Sequence, residues 1–203
     1  MIIVRKYSKN YLVCGIGKND ASYNVSIYKK IEDKVISIFE CPFYAKWVNM
    51  IERCYSKRRL KMFPSYAGCT VCEEWLTFSN FKAWMENQDW QGKELDKDIL
   101  VYGNTIYSPD SCAFVSRRLN LLCSDRSRSK RKLLQGCRFC KVTGKYQSQC
   151  FDMKRNKQVS IGYFNTQEES HKAWKAKKLE SAMILVEKES DQRLKQALIR
   201  RYS

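Results

Sequence analysis

Between Glu94 and Val115 the chain reads ELDKDILVYGNTIYSPDSCAFV. Asp96 and Asp98 alternate on a strand-like stretch with Lys97 between them, so both carboxylates fall on one face. Two carboxylates so placed suit a hard divalent cation such as Mg²⁺, which can polarise a phosphoryl oxygen and lower the pKa of a bound water. Hydrolysis by that route also needs a general base that is unprotonated at the working pH and within hydrogen-bond reach of the water. Lys97, which comes directly after the first acid, does not meet this need. Flanking negative charge keeps its ammonium group protonated, and an ammonium group has donors only. It would hold a phosphate and leave water untouched. The single histidine, His171, lies far along the chain.

The elements around this stretch must come from a chain of 203 residues, enough for one large or two small domains with a core. Hydrophobic residues make up 44% and aromatics 13%, which is globular. Lys and Arg total 38 against 21 Asp and Glu, a net charge of +17. Such a balance calls for a polyanionic partner, with nucleic acid first. No apolar run approaches the ~20 residues that span a bilayer, so no membrane partner is expected. The opening MIIVRKYSKNYLV has no apolar h-region, so no export signal is expected and the ten cysteines are expected to be reduced thiols. Two Cys-x-x-Cys pairs, Cys69/Cys72 and Cys137/Cys140, have the spacing of a four-thiolate zinc site. Their strand-like neighbours favour small core side chains instead, and no metal is expected.

The periodicity predicts an α+β chain. Residues 1–40 alternate like strands in NYLVCGIG, YNVSIYKK and KVISIFEC, an antiparallel meander that extends the domain beginning at residue 41. Pro42 opens a helix with Phe43, Trp47, Met50, Ile51 and Cys54 at core spacing, and Arg53, Lys57, Arg58 and Arg59 at its end. A second helix carries Trp75, Phe78, Phe81, Trp84 and Met85 as another core stripe. A short helix, SRRLNLLCSD, comes after the acidic stretch and closes a segment spanning 41–123. Residues 124–136 read as a basic linker, and 137–203 as three strands and then helices. Thr166 and Glu169 form a capping box ahead of the first of these helices, and a second begins near 190. Trp174 is expected in the core, and His171 on the surface or packed against the helix.

Two segments resemble known families. YAKWVNMIERCY, YAGCTVCEEWLTFSNFKAW and LDKDILVYGNTIYSPDSCAFVSRRLN resemble phage-encoded endonucleases of the HNH class, the free-standing homing type. The resemblance implies a ββα-metal fold in which an acid and an adjacent histidine serve as metal ligand and base. Here Asp96 stands at the acid, Lys97 at the base, Asn104 at the loop asparagine and Ser111 near the last ligand, with Asp98 beside them. The site is degenerate. GCRFCKVTGKYQSQ and VSIGYFNTQEESHKAWKAKK resemble the ethylene-response-factor, or APETALA-type, DNA-binding domain. That resemblance implies a three-stranded sheet in the major groove with a helix behind it. Its base-reading positions fall on Arg138, Cys140, Gln149, Phe151, Gln158 and Ser160. Of the family's pattern Arg138 keeps its arginine, while Cys140 and Ser160 replace an arginine and a tryptophan.

Charge agrees without any resemblance. From Arg117 to Lys157 there are thirteen Lys and Arg and two acids, Asp125 and Asp152. The expected phosphate contacts are Arg117, Arg118, Arg126, Arg128, Lys130, Arg131, Lys132, Lys141, Lys145, Lys154, Arg155 and Lys157. The expectation is a sequence-specific double-stranded DNA-binding protein derived from a homing endonuclease, without a cofactor, that represses transcription by occupying an operator. The resemblance implies a phage mobile element and a place in the bacterial cytoplasm, at the nucleoid. One alternative is an active Mg²⁺-dependent HNH nuclease, and another is an RNA-binding phage accessory protein. The C-terminal helices offer a route to a homodimer.

Overall fold

A computed structural model describes residues 2–3 (backbone), 12–32, 34–124 and 132–203. The fold is α+β. Its elements run β1 (Ile2–Ile3), β2 (Leu12–Val13), β3 (Gly17–Lys18), β4 (Ser26–Ile31), β5 (Lys34–Glu40), α1 (Pro42–Tyr55), α2 (Lys57–Met62), β6 (Thr70–Val71) and α3 (Phe78–Glu86). Next come β7 (Glu94–Asp96), β8 (Ile106–Tyr107), β9 (Ala113–Val115), α4 (Arg117–Cys123), β10 (Cys137–Cys140), β11 (Lys145–Asp152), β12 (Lys157–Phe164), α5 (Gln167–Val186) and α6 (Arg193–Tyr202). They form two compact units, Met1–Trp90 with Gly103–Cys112, and Gln91–Tyr102 with Ala113–Ser203.

The first unit is built on aromatic packing. Trp47, Met50 and Ile51 of α1 and Phe78, Phe81 and Met85 of α3 are buried together with Trp75. The indole of Trp47 donates to the Trp75 carbonyl at 2.7 Å. In α1 Tyr44 is buried, while Phe43 is half-exposed and packs on Trp90 at 5.1 Å between ring centres. Trp75 precedes α3 in a separate 3-10 turn, Glu73–Leu76. Residues 1–40 are not a simple meander. Strands β1, β4 and β5 form one antiparallel sheet in that order, and β2 pairs with β3 apart from it. This segment is also tied to the helices: Asp20 accepts from the Ser79 backbone N–H at 2.9 Å and the Ser79 hydroxyl at 2.6 Å, capping the first turn of α3. The loop 103–112 belongs here too, since β8 pairs in parallel with β6.

The second unit gathers β7, β9 and α4 with the C-terminal sheet and helices. Segment 41–123 is therefore not one body, and the expected boundary at 124–136 does not separate two units. Hydrophobic burial is the reason. Val115, Leu119, Leu122 and Cys123 share one core with Cys150, Trp174, Ala182, Leu185, Leu194, Leu198 and Tyr202. Glu189, its carboxylate almost fully buried, accepts from the Ser116 N–H at 2.9 Å and pairs with Lys93 at 2.8 Å. Burial pulls the Glu189 carboxyl upward, but the hydrogen bonds from Lys93 and Ser116 together outweigh it and hold the group below its usual range. The Arg201 guanidinium donates to the Cys123 carbonyl at 2.6 Å. The apolar faces of α5 and α6 are spent inside this core.

Candidate nucleic-acid interface

The sheet β10-β11-β12 is antiparallel throughout. Its turns follow from residue type. Gly144 closes the first at φ +67°, its N–H donating to the Cys140 carbonyl at 2.9 Å. In the second, the Asp152 carboxylate accepts from the N–H groups of Lys154 and Arg155 at 2.8 and 3.0 Å. Behind the sheet, α5 begins with the expected capping box of Thr166 and Glu169. Ser148 and Ser170 are buried small residues on β11 and α5. The connection into β10 is clamped to α5 as well. His171 Nδ1 meets the Gln135 carbonyl at 2.7 Å, and its ring stacks on Trp174 at 5.5 Å. Histidine here is a packing residue.

Burial along β11 alternates: Ser148, Cys150 and Asp152 face α5, leaving Lys145, Gln147, Gln149 and Phe151 on the outward face. Residues directly opposite one another share a face. Arg138 opposes Gln147, and Cys140 opposes Lys145. Gln149 opposes Ser160, Phe151 opposes Gln158, and Gln147 opposes Tyr163. All six residues expected to read bases thus stand on one outward face. The Gln147 amide donates to the Ser160 hydroxyl at 3.1 Å, which needs both on the same side. Hydrogen bonds from Thr143 hold the Cys140 thiol below its usual range.

Three more residues complete this face: Lys145, Gln147 and Tyr163. Gln147 was within reach of simple alternation from Gln149. Tyr163 was not. Ladder pairing slips between Ser148 and Gln149, making Ile161 an extra residue on β12. It packs on the core, and the outward parity moves from Ser160 to Tyr163. The resulting face carries one guanidinium, one ammonium, three glutamine amides, a hydroxyl, a thiol and two aromatic rings, and no carboxylate.

Of the expected phosphate contacts, Arg126, Arg128, Lys130 and Arg131 lie outside the described residues. Arg117, Arg118, Lys132, Lys141, Lys145, Lys154, Arg155 and Lys157 are all exposed. They do not share one side. Lys145 is on the outward face, Lys141 and Arg155 are in the turns, and Arg117 and Arg118 open α4. Lys154 instead pairs with Glu180 of α5 at 3.4 Å. Lys157 opposes the inward-facing Asp152. Asp152 is paired with Lys177 at 2.9 Å, and that ammonium holds its carboxyl down at about 2.

The acidic stretch departs from its expected geometry. Strand β7 ends at Asp96, so Asp96 and Asp98 do not alternate along one strand. The Asp96 carboxylate accepts from the N–H groups of Asp98 and Ile99 at 2.9 and 2.7 Å, closing the turn after the strand. Burial pushes its carboxyl above the usual range, and the charge of Asp98 adds to this. Lys97 pairs with Asp98 at 3.2 Å. Asn104 uses its amide on its own loop, donating to the Ile106 carbonyl at 2.6 Å and accepting from the Ile106 N–H at 3.2 Å. Ser111 is buried and donates to the same carbonyl at 2.7 Å. Asp96 to Asp98 belong to the second unit, and Asn104 and Ser111 to the first. Among the described residues no group of three or more His, Cys, Asp or Glu side chains could hold a metal ion. With one Asp96 oxygen committed to the backbone and Asp98 to Lys97, this donor set does not fit a catalytic Mg²⁺.

The cysteine pairs are likewise divided, Cys69 and Cys72 in the first unit and Cys137 and Cys140 in the second. Three apart on a strand, Cys137 and Cys140 project from opposite faces, and the Cys137 thiol donates to the Gln167 carbonyl at 3.2 Å. All ten cysteines are free of disulfides. Among the described residues no helix is long and apolar enough to cross a membrane. Comparison with protein-family models, with curated proteins and with solved structures returned no match.

Proposed function

We propose that this chain binds double-stranded DNA through the outward face of β10-β11-β12 and occupies its site without cutting it. The observation that carries this reading is the face itself: nine side chains of base-reading chemistry, without a carboxylate, on a three-stranded sheet backed by α5. Arginine recognises the O6 and N7 of guanine, glutamine the N6 and N7 of adenine, and an apolar ring the thymine methyl. The three strands are about 10 Å across between their outer backbones, comparable to the roughly 12 Å of a major groove. Lys141 and Arg155, in the turns at the ends of this sheet, supply sequence-independent affinity by displacing counterions from phosphates. The reading of an uncut complex rests on the acidic stretch, where Lys97 takes the place of a base and the Asp96 carboxylate closes a turn. Occupying an operator without cleavage blocks transcription, so repression is the biological role we infer.

The test is incubation of the purified chain with a pool of phage and bacterial DNA fragments, in Mg²⁺ and separately in EDTA. Retained fragments and new strand breaks are both scored. Selective retention of an uncut fragment in both conditions is expected. Mg²⁺-dependent breaks at one locus, abolished by Asp96→Ala, would replace this reading with an active nuclease. Preference for an RNA competitor over duplex DNA would replace it with RNA binding, in which the exposed rings of Phe151 and Tyr163 stack on bases.

A further inference from the structure

Helix α2, Lys57-Arg58-Arg59-Leu60-Lys61-Met62, lies in the first unit and carries cations that the outward sheet face does not use. With about 3.6 residues per turn, Lys57, Arg58 and Lys61 share one arc of the helix, and Arg59 and Leu60 point the other way. Burial agrees: the three are exposed, while Arg59 and Leu60 are half-buried. Ser56 caps the helix, accepting from the Arg59 N–H at 3.4 Å. The Arg59 guanidinium is turned back on α1, where it pairs with Glu52 at 3.1 Å and donates to Asn49 at 3.1 Å.

From Arg53 to Cys72 the chain has five Lys and Arg and no Asp or Glu. Other helix lysines have an acid in reach: Lys82 pairs with Glu86 in α3, and Lys177 with Glu180 in α5. Among the described residues Lys57, Arg58 and Lys61 form no such ion pair. Their placing also opposes the helix that holds them. Lys57 and Arg58 stand in a first turn without an acid, where positive charge opposes the dipole, and Lys57 repels Lys61 one turn on. A polyanion relieves both effects. Helix positions three and four apart have Cβ atoms about 5–6 Å apart, comparable to the step between successive phosphates of a nucleic-acid strand.

We propose that this face of α2 is a second DNA contact, in which Lys57, Arg58 and Lys61 bind backbone phosphates whatever the sequence. The inference rests on the reading of the chain as a duplex-DNA binder and divides the work: the sheet of the second unit reads bases, and α2 of the first unit adds affinity. An anionic membrane fits less well, because the arc shared by the three cations holds no apolar side chain to insert into lipid.

The experiment measures binding of the full chain to random duplex DNA and to the selected fragment over a range of salt concentrations. It compares wild type with the triple variant Lys57→Gln/Arg58→Gln/Lys61→Gln and with a control, Lys29→Gln/Lys30→Gln/Lys34→Gln, which removes the same charge from exposed positions of β4 and β5. Circular dichroism checks that each folds. The α2 variant should flatten the dependence of log K on log salt by about 2–3 on both DNAs, close to one counterion per lost contact, and weaken both by about tenfold or more. The control should keep the wild-type slope within about 1. An α2 variant with the wild-type slope, or a control that loses as much, would overturn the proposal while leaving base reading by the sheet intact, as the effect of Arg138→Ala on the selected fragment then shows. A wild type that binds neither DNA would overturn both readings. Loss of binding to phosphatidylserine vesicles in the α2 variant, with its DNA slope unchanged, would assign these cations to a membrane surface instead.

Discussion

Gly136 is the position where a single methyl group should do most damage to the second unit. Its φ is +81°, in the left-handed region, and a Cβ there would overlap the ring of Trp174. Gly136→Ala carries two costs. Holding a residue with a Cβ in that backbone conformation costs about 1–2 kcal/mol. Trp174 is 7% exposed and stacked on His171, so it cannot swing into solvent, and forcing it aside overpacks the core at about 1–3 kcal/mol. The sum is a loss of about 2–5 kcal/mol. The damage also reaches the outward face, because the Gly136 carbonyl accepts from the Gln149 N–H at 3.2 Å. Urea denaturation monitored by tryptophan fluorescence measures the loss. A destabilisation below about 1 kcal/mol would refute the close approach between β10 and α5, which needs both costs.

Arg138→Ala should reduce binding to the selected DNA by about tenfold or more while leaving binding to random DNA nearly unchanged, measured by competition at fixed salt. Equal loss on both would contradict base reading by the sheet. Glu189→Ala should destabilise the second unit by about 3 kcal/mol in urea, since it removes one partner of a buried ion pair and the acceptor for Ser116 N–H; a loss within about 0.5 kcal/mol, typical of surface positions, would mean that the pair is not a staple. The Asp152 carboxyl is held down at about 2, chiefly by Lys177. A depressed carboxyl stabilises the fold above its unfolded value of about 3.9 and loses that contribution as pH falls toward 2. Acid unfolding should therefore be steeper over that window in wild type than in Asp152→Asn, and identical profiles would show that Asp152 does not couple to folding.

The C-terminal sheet was legible because its signals are local. The three successive strands and the Thr166–Glu169 box each depend on a few neighbouring residues, and all appear where expected. The face shared by Arg138, Cys140, Gln149, Phe151, Gln158 and Ser160 follows from register, which two short turns constrain. Tyr163 was hidden because one bulge reverses strand parity, and nothing in the residues around Ile161 announces a bulge. In α1, helical spacing marked Phe43, but the core took Tyr44; neighbouring aromatics one position apart are separated by packing, not by period. The two-carboxylate face failed for a different reason. A short strand ended at Asp96, where an Asp side chain competes for the backbone and favours a turn. That β9 and α4 share a core with α5 and α6 depends on burial between residues far apart in sequence, which periodicity does not encode.

Methylation protection on the retained DNA fragment tests the central claim most directly, because dimethyl sulfate modifies guanine N7 in the major groove and adenine N3 in the minor groove. Binding by the outward face of β10-β11-β12 predicts protection of at least one guanine N7, with protection lost at that base in Arg138→Ala and retained elsewhere in the site. Protection confined to adenine N3, or a guanine pattern unchanged by Arg138→Ala, would contradict major-groove reading by this sheet.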